Sequence, residues 1–101
     1  MKQHSPTQKA GLKKAAKSLY QAIQAMQTPA EVRQLLLDLC TPAELEALVD
    51  RWWVACLLEE GRSYRDISDM TGVSVTTIGR VARFMEMGAG GYRLALDRSR
   101  P

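Results

Sequence analysis

The chain has 101 residues, 46% of them hydrophobic, and a formal net charge of +3 at neutral pH. That length gives one domain of ordinary size, large enough for a core and too small for an elaborate enzyme pocket. No apolar run reaches 18 residues and no basic-then-apolar leader opens the chain, so the sequence reads as cytoplasmic, with neither a membrane span nor a secretion signal.

The charge is unevenly spread. Residues 1–30 hold five lysines and no acid, residues 31–60 hold two arginines against seven acids, and residues 61–101 hold seven arginines against four acids. Residues 1–7 (MKQHSPT) are polar and contain Pro6, and they read as a disordered lead-in to a single helical domain over 8–98. His4, the one histidine, lies in that lead-in, where it is neither ligand nor base.

From Gln8 to Gln27 the positions Leu12, Ala15, Ala16, Leu19, Ile23 and Met26 recur at intervals of three and four, which predicts a long helix with one apolar stripe. Lys9, Lys13, Lys14 and Lys17 decorate its other side. The simpler reading of these lysines is a solvated face; the other is a set of phosphate contacts.

Thr28-Pro29 and Thr41-Pro42 each pair a capping threonine with proline at the first helical position. Glu31 and Glu44 follow within a turn, and Glu44 completes a capping box with Thr41. A second helix is expected over Pro29–Cys40 with Val32, Leu35, Leu36 and Leu39 inward. A third is expected over Pro42–Glu60 with Leu45, Leu48, Val49, Trp52, Cys56 and Leu57 inward, ended by Gly61. Cys40 and Cys56 sit on separate apolar faces, as small buried hydrophobes do, rather than as a disulfide or metal pair.

Residues 63–84 (SYRDISDMTGVSVTTIGRVARF) carry the strongest functional signal. Ser63 caps a helix from Tyr64 to Met70 with Ile67 and Met70 inward; Thr71, Gly72 and Val73 form a turn; Ser74 caps a second helix from Val75, with Ile78 and Val81 inward. Gly72 occupies a sharp reversal that favours positive φ. This order is that of a helix-turn-helix. The second helix begins with a short polar and small-residue tip suited to a major groove about 12 Å wide. The competing reading is an αα-hairpin of a helical core. Beyond it, Gly88, Gly90 and Gly91 make a flexible turn before a short last helix over Tyr92–Arg98.

No strand pattern of useful length appears, so an all-α fold of six helices is expected. The stripe of the first helix has too few partners within one chain, which points to a two-fold homodimer. A dimer also supplies the two recognition helices that useful DNA affinity demands. An enzyme is disfavoured: no cysteine–histidine or serine–histidine pair is possible outside the lead-in, and the carboxylates are scattered over solvated faces. No metal or cofactor is implied.

The run Leu-Cys-Thr-Pro-x-Glu-x-Glu-Ala-Leu at 39–48, Arg51 a turn later and Thr-Ile-x-Arg at 77–80 resemble the tryptophan repressor superfamily. Tyr64-Arg65-Asp66-Ile67 and Gly90-Gly91-Tyr92-x-Leu94-x-Leu96-Asp97-Arg98 are more similar to its YerC/YecD branch. The resemblance covers residues 10–98. It implies an intertwined all-helical homodimer with projecting helix-turn-helix reading heads, and hence a sequence-specific regulator of transcription, a repressor in the usual case, acting on double-stranded DNA. The repressor's base-contacting or phosphate-contacting positions fall on Ser63, Tyr64, Arg65, Val75, Thr76 and Thr77. Arg65 suits bidentate contact with guanine, the threonine hydroxyls suit base edges or phosphates, and Val75 suits a thymine methyl. Set against this, Arg65 can instead pair with Asp66 or Asp69, and Thr76 or Thr77 can merely stabilise the helix start.

The resemblance also implies an effector pocket at Arg51, Arg80, Val81 and Phe84. The family's two arginines flank a bound tryptophan and correspond to Arg51 and Arg80. Its ring-accommodating glycine is replaced by Val81, and the serine that binds the ligand's amino group is replaced by Phe84. The added bulk is expected to fill the pocket with protein, with Trp52 and Trp53 stacked on Arg51 or plugging the same cavity. Tryptophan is therefore not expected as co-repressor, and the arginines would hold the reading head or touch phosphate. Two alternatives stay open: a regulator sensing a different small molecule, and a helical protein-interaction module that binds no DNA.

Overall fold

The structure is a computed structural model that describes residues 3–99. Among these residues the chain is all-α, with six helices and no strand. It divides into two compact units, residues 1–41 and 42–101.

The first unit holds α1 (Pro6–Ala25) and α2 (Pro29–Leu39). α1 begins earlier than the apolar periodicity places it. Ser5 Oγ accepts from the Gln8 N–H at 3.2 Å and Gln8 Oε1 accepts from the Ser5 N–H at 2.7 Å, a capping box that fixes the first turn. Ser5, Pro6 and Thr7 are thus the cap and first turn of a helix rather than a disordered lead-in; Ser5-Pro6 is the same signal as Thr28-Pro29. Met1 and Lys2 lie outside the described residues.

At α2, Thr28 Oγ1 accepts from the Glu31 N–H at 3.1 Å and the Glu31 carboxylate accepts from the Gln27 N–H at 2.7 Å. Neither helix contains a fully buried residue. Leu12, Leu19 and Ile23 of the α1 stripe lie open, and on α2 Val32, Leu35 and Leu36 are half-buried while Leu39 is exposed.

The second unit comprises α3 (Pro42–Glu59), α4 (Tyr64–Thr71), α5 (Val75–Met87) and α6 (Gly91–Arg98). α3 packs on α4 and α5, α4 on α5, and α5 on α6. Val54, Ala55 and Leu57 of α3 meet Ile67 of α4, Val73 of the turn, and Ile78 and Val81 of α5 in one buried cluster, with Leu58, Met85 and Tyr92 packed against it.

Burial on α3 departs from the expected face. Of the residues expected inward, only Leu57 is buried; Leu45 and Cys56 are half-buried, while Leu48, Val49 and Trp52 are exposed. At about 1.5 Å per residue, α4 (8 residues) and α5 (13 residues) are both shorter than α3 (18 residues). The core forms at the C-terminal half of α3, and the apolar face of the N-terminal half is left open. Met70, also expected inward, is 45% exposed, because Ile67 alone supplies the α4 side of the core. Cys40 and Cys56 are free thiols, each half-buried rather than buried. Burial, and then the nearby Glu60 carboxylate, push the Cys56 thiol up from its ordinary value.

The α4–α5 turn is tightly satisfied. Gly72 takes φ +74°, and its N–H donates to Ser68 O at 2.9 Å. The Thr71 hydroxyl donates to Ile67 O at 2.7 Å and accepts from the Val73 N–H at 3.0 Å, while the Ser68 hydroxyl donates to Val73 O at 2.8 Å. Farther on, Gly88 caps α5 and Gly90, at φ +90°, precedes α6. Arg93 of α6 pairs with Glu59 at the end of α3 and with Asp97 at 3.2 Å. Its hydrogen bond to Glu59 leads in raising the guanidinium's hold on its proton.

Candidate nucleic-acid interface

Ser63 and Ser74 start the two helices in the same way. Ser63 Oγ accepts from the Asp66 N–H at 3.1 Å, and Ser74 Oγ accepts from the Thr77 N–H at 3.2 Å. Each serine thereby satisfies one of the free N–H groups of a helix end and fixes where the next side chains point. Below this surface Ile67, Ile78 and Val81 are buried, so the unit's apolar side is committed to the core.

The six residues expected to contact DNA separate into two groups. Tyr64, Arg65, Val75 and Thr76 are exposed on the first turns of α4 and α5. The Tyr64 ring lies over Gly79 of α5, where a Cβ would stand 3.9 Å from Tyr64 Cε2. Arg65 makes no ion pair among the described residues, so the surface pairing with Asp66 or Asp69 is not formed. Ser63 and Thr77 are engaged in the caps. Thr77 is half-buried, and the Ser74 hydroxyl donates to Thr77 Oγ1 at 3.1 Å. Of the two threonines, Thr77 is the one that secures the helix start. No acid stands in the first turn of α5, so the partial positive charge of that helix end is uncompensated by side chains.

The four residues of the expected effector pocket come together. Arg51, Arg80, Val81 and Phe84 line one cavity of about 220 Å³ with Thr77 and Tyr92. The expectation that protein fills this space is corrected. Val81 is 2% exposed and belongs to the core, and Phe84 is 50% exposed; both border the cavity as walls and leave space between the arginines. Trp52 does not plug the cavity either; it lines a separate apolar one of about 410 Å³ with Phe84, Ala89, Gly91, Tyr92 and Ala95.

The smaller space falls below the roughly 300–1,000 Å³ of ordinary small-molecule pockets. Its charged lining is two guanidinium groups with no carboxylate, and Arg51 and Arg80 make no ion pair among the described residues. Sequence reasoning missed Tyr92 as a wall; the signal is present in Gly90-Gly91-Tyr92, where the glycine turn sets the tyrosine at the start of α6. Thr77 likewise lines this cavity and a neighbouring one with Arg51, Asp50, Ala47, Val73 and Ser74.

No helix among the described residues is long and apolar enough to cross a membrane. The family described as Trp repressor protein matches residues 14–100. The YerC protein of Bacillus subtilis (strain 168), itself described as uncharacterised, is 39% identical over 80 residues, covering 79% of this chain and 77% of its own. The crystal structure of a TrpR-like protein from Eubacterium eligens ATCC 27750 superposes with a TM-score of 0.79 at 38% identity, covering 84% of this chain and 88% of that one. A candidate Trp repressor from Staphylococcus aureus superposes with a TM-score of 0.78 at 36% identity, covering 83% and 84%. With a family match over most of its length and relatives above one-third identity, the chain belongs to the Trp repressor family.

Proposed function

We propose that the protein is a sequence-specific, DNA-binding regulator of transcription that acts as a homodimer, with α4, the Gly72 turn and α5 as its helix-turn-helix. The observation that carries this reading is the division of the α4–α5 unit into a buried apolar side, Ile67, Ile78 and Val81, and an exposed tip, Arg65, Val75 and Thr76. The tip offers a guanidinium without an ion-pair partner, a hydroxyl and a methyl-bearing side chain, the groups that read guanine, base edges and thymine.

The homodimer is supported by apolar surface left open within one chain: Leu12, Leu19 and Ile23 on α1, and Leu48, Val49, Trp52 and Trp53 on α3. So much large apolar surface is characteristic of an interface. A second copy covers it and brings a second reading head, placing two half-sites about 34–36 Å or a multiple of it apart.

Selection of duplexes from a random library, together with light scattering of the free protein, tests both parts. The expected outcome is twice the chain mass at micromolar concentration and a selected site with two-fold symmetry. A clean helical monomer removes the dimer, and a library that yields no enriched site removes sequence-specific binding.

The cavity between Arg51 and Arg80 favours a second reading, in which the regulator senses a small molecule other than tryptophan. Two cationic walls and no carboxylate accommodate an aromatic anion and leave an ammonium group without a charged partner. A thermal-shift screen of aromatic carboxylates with and without an amino group tests it; a rise in Tm confined to acids without one is expected.

A further inference from the structure

The lysines of α1 are not accounted for by the reading head. Every lysine of the chain lies in the first 17 residues and every arginine lies beyond residue 32. Lys9, Lys13 and Lys17 recur every four residues, so they stand one above the next about 6 Å apart along the helix, with Lys14 beside them. At 100° per residue, Lys13, Lys14 and Lys17 fall on the side away from Leu12, Leu19 and Ile23. All four are exposed and none forms an ion pair among the described residues.

Two electrostatic effects act against this row within α1 itself. Like charges four residues apart repel, and α1 contains no acid to offset them. The row also occupies the first twelve residues of a 20-residue helix whose start is fixed by Ser5, so the lysines crowd the end that already carries partial positive charge. A helix free to optimise its own stability places acids there and lysines near its C-terminus. An extended polyanion laid along this face relieves both effects at once.

Resting on the reading of the protein as a DNA-binding dimer, we propose that the Lys9–Lys13–Lys14–Lys17 face of α1 is a second DNA-contacting surface that binds phosphate backbone without reading sequence. Residue type fits that division of labour. Lysine offers a hydrated point charge on a flexible stem and suits contacts that tolerate any register, whereas the arginines of residues 61–101 suit geometrically defined contacts. The α1 face adds affinity and encounter rate; the α4–α5 tip adds choice of site.

The test compares the full-length protein with the Lys13→Gln, Lys14→Gln, Lys17→Gln triple variant and the corresponding triple lysine-to-arginine variant. Affinity is measured on the selected duplex and on a scrambled one across a salt series. Glutamine is as good a helix former as lysine, and circular dichroism with light scattering verifies fold and mass.

The glutamine variant is expected to bind both duplexes more weakly. Its log–log salt slope should be shallower by about 0.9 for each phosphate that a lysine no longer neutralises, with the ratio of selected to scrambled affinity unchanged. The arginine variant should keep the wild-type slope. Equal slopes and affinities for wild type and glutamine variant overturn the proposal and leave the row a solvated face. A fall in the affinity ratio overturns it by placing the lysines in sequence reading. Loss of binding to phosphatidylserine vesicles with DNA binding intact overturns it in favour of a membrane surface. If the wild-type protein binds neither duplex, the reading of the function fails instead, and that result is distinct from a protein that binds DNA with an unaltered slope.

Discussion

Ser74 and Thr77 hold each other at the start of α5: the Thr77 N–H donates to Ser74 Oγ at 3.2 Å and the Ser74 hydroxyl donates to Thr77 Oγ1 at 3.1 Å. This reciprocity separates two threonines that are adjacent in sequence. Thr77→Ala removes an acceptor at a helix cap and is expected to lower Tm, at a cost within the roughly 0.5–1.5 kcal/mol of an ordinary hydrogen bond. Thr76→Ala removes an exposed hydroxyl and is expected to leave Tm unchanged while weakening selective DNA binding. Thermal melts of both variants beside titrations on selected and mismatched duplexes check the assignment; the reverse pattern transfers the reading role to Thr77.

Arg65 provides the sharpest probe of the reading head because no ion pair restrains it. Arg65→Ala should fold as the wild type does and lose about 1–3 kcal/mol of discrimination at one base pair. Competition binding against duplexes altered singly at each position reveals which one. Full retention of both affinity and selectivity would mean that Arg65 does not read a base.

Gly72 and Gly79 predict opposite effects for the same substitution. Gly72 has φ +74° with no heavy atom within 4 Å of an added methyl, so Gly72→Ala meets a backbone penalty alone, about 1–2 kcal/mol. Gly79 is an interior position of α5 where a methyl makes ordinary contact with Tyr64 at 3.9 Å, and Gly79→Ala gains helix propensity of up to about 1 kcal/mol. Chemical denaturation of the two variants should move the midpoint in opposite directions. A destabilised Gly79→Ala would show that Tyr64 cannot yield over α5.

The helices are legible in the sequence because their starts are written in local chemistry. Ser-Pro or Thr-Pro opens α1, α2 and α3, serine opens α4 and α5, and each signal acts within four residues of itself. The face of α3 that becomes buried is not legible. Its apolar residues are spread so widely that Leu48, Val49 and Trp52 form as good a stripe as the buried Val54, Ala55 and Leu57 with half-buried Leu58 beside them. Which stripe is covered depends on where the short α4 and α5 lie along α3, a tertiary fact with no local signature. The pocket residues Arg51 and Arg80 follow from family resemblance, whereas the glycine turn marks Tyr92 only as the start of α6, and its place in the cavity wall depends on how α6 packs against α5. Residue type at Val81 and Phe84 conveys bulk; the direction in which that bulk points belongs to the packing.

Tryptophan binding is the point at which these side-chain directions matter most. Val81 lies in the core and Phe84 is half-exposed at the cavity wall, and a cavity of about 220 Å³ persists between Arg51 and Arg80 despite the larger residues. Space alone therefore does not exclude an amino acid; Phe84, which offers no hydroxyl to receive its ammonium group, does so more strongly. Calorimetric titration of L-tryptophan is expected to give no micromolar binding, and DNA affinity should be the same with and without it. Micromolar affinity together with a tenfold gain in DNA affinity, a coupling of about 1.4 kcal/mol, would overturn this. Phe84→Ser then separates polarity from volume, since the half-exposed ring can be replaced by a hydroxyl with little loss of core. Adding Val81→Gly enlarges the cavity at the expense of a buried side chain, about 1.5–3 kcal/mol, and needs a melt to verify folding. Tryptophan binding that emerges with Phe84→Ser alone would identify a missing partner for the ammonium group as the block. Binding that requires Val81→Gly as well would identify volume.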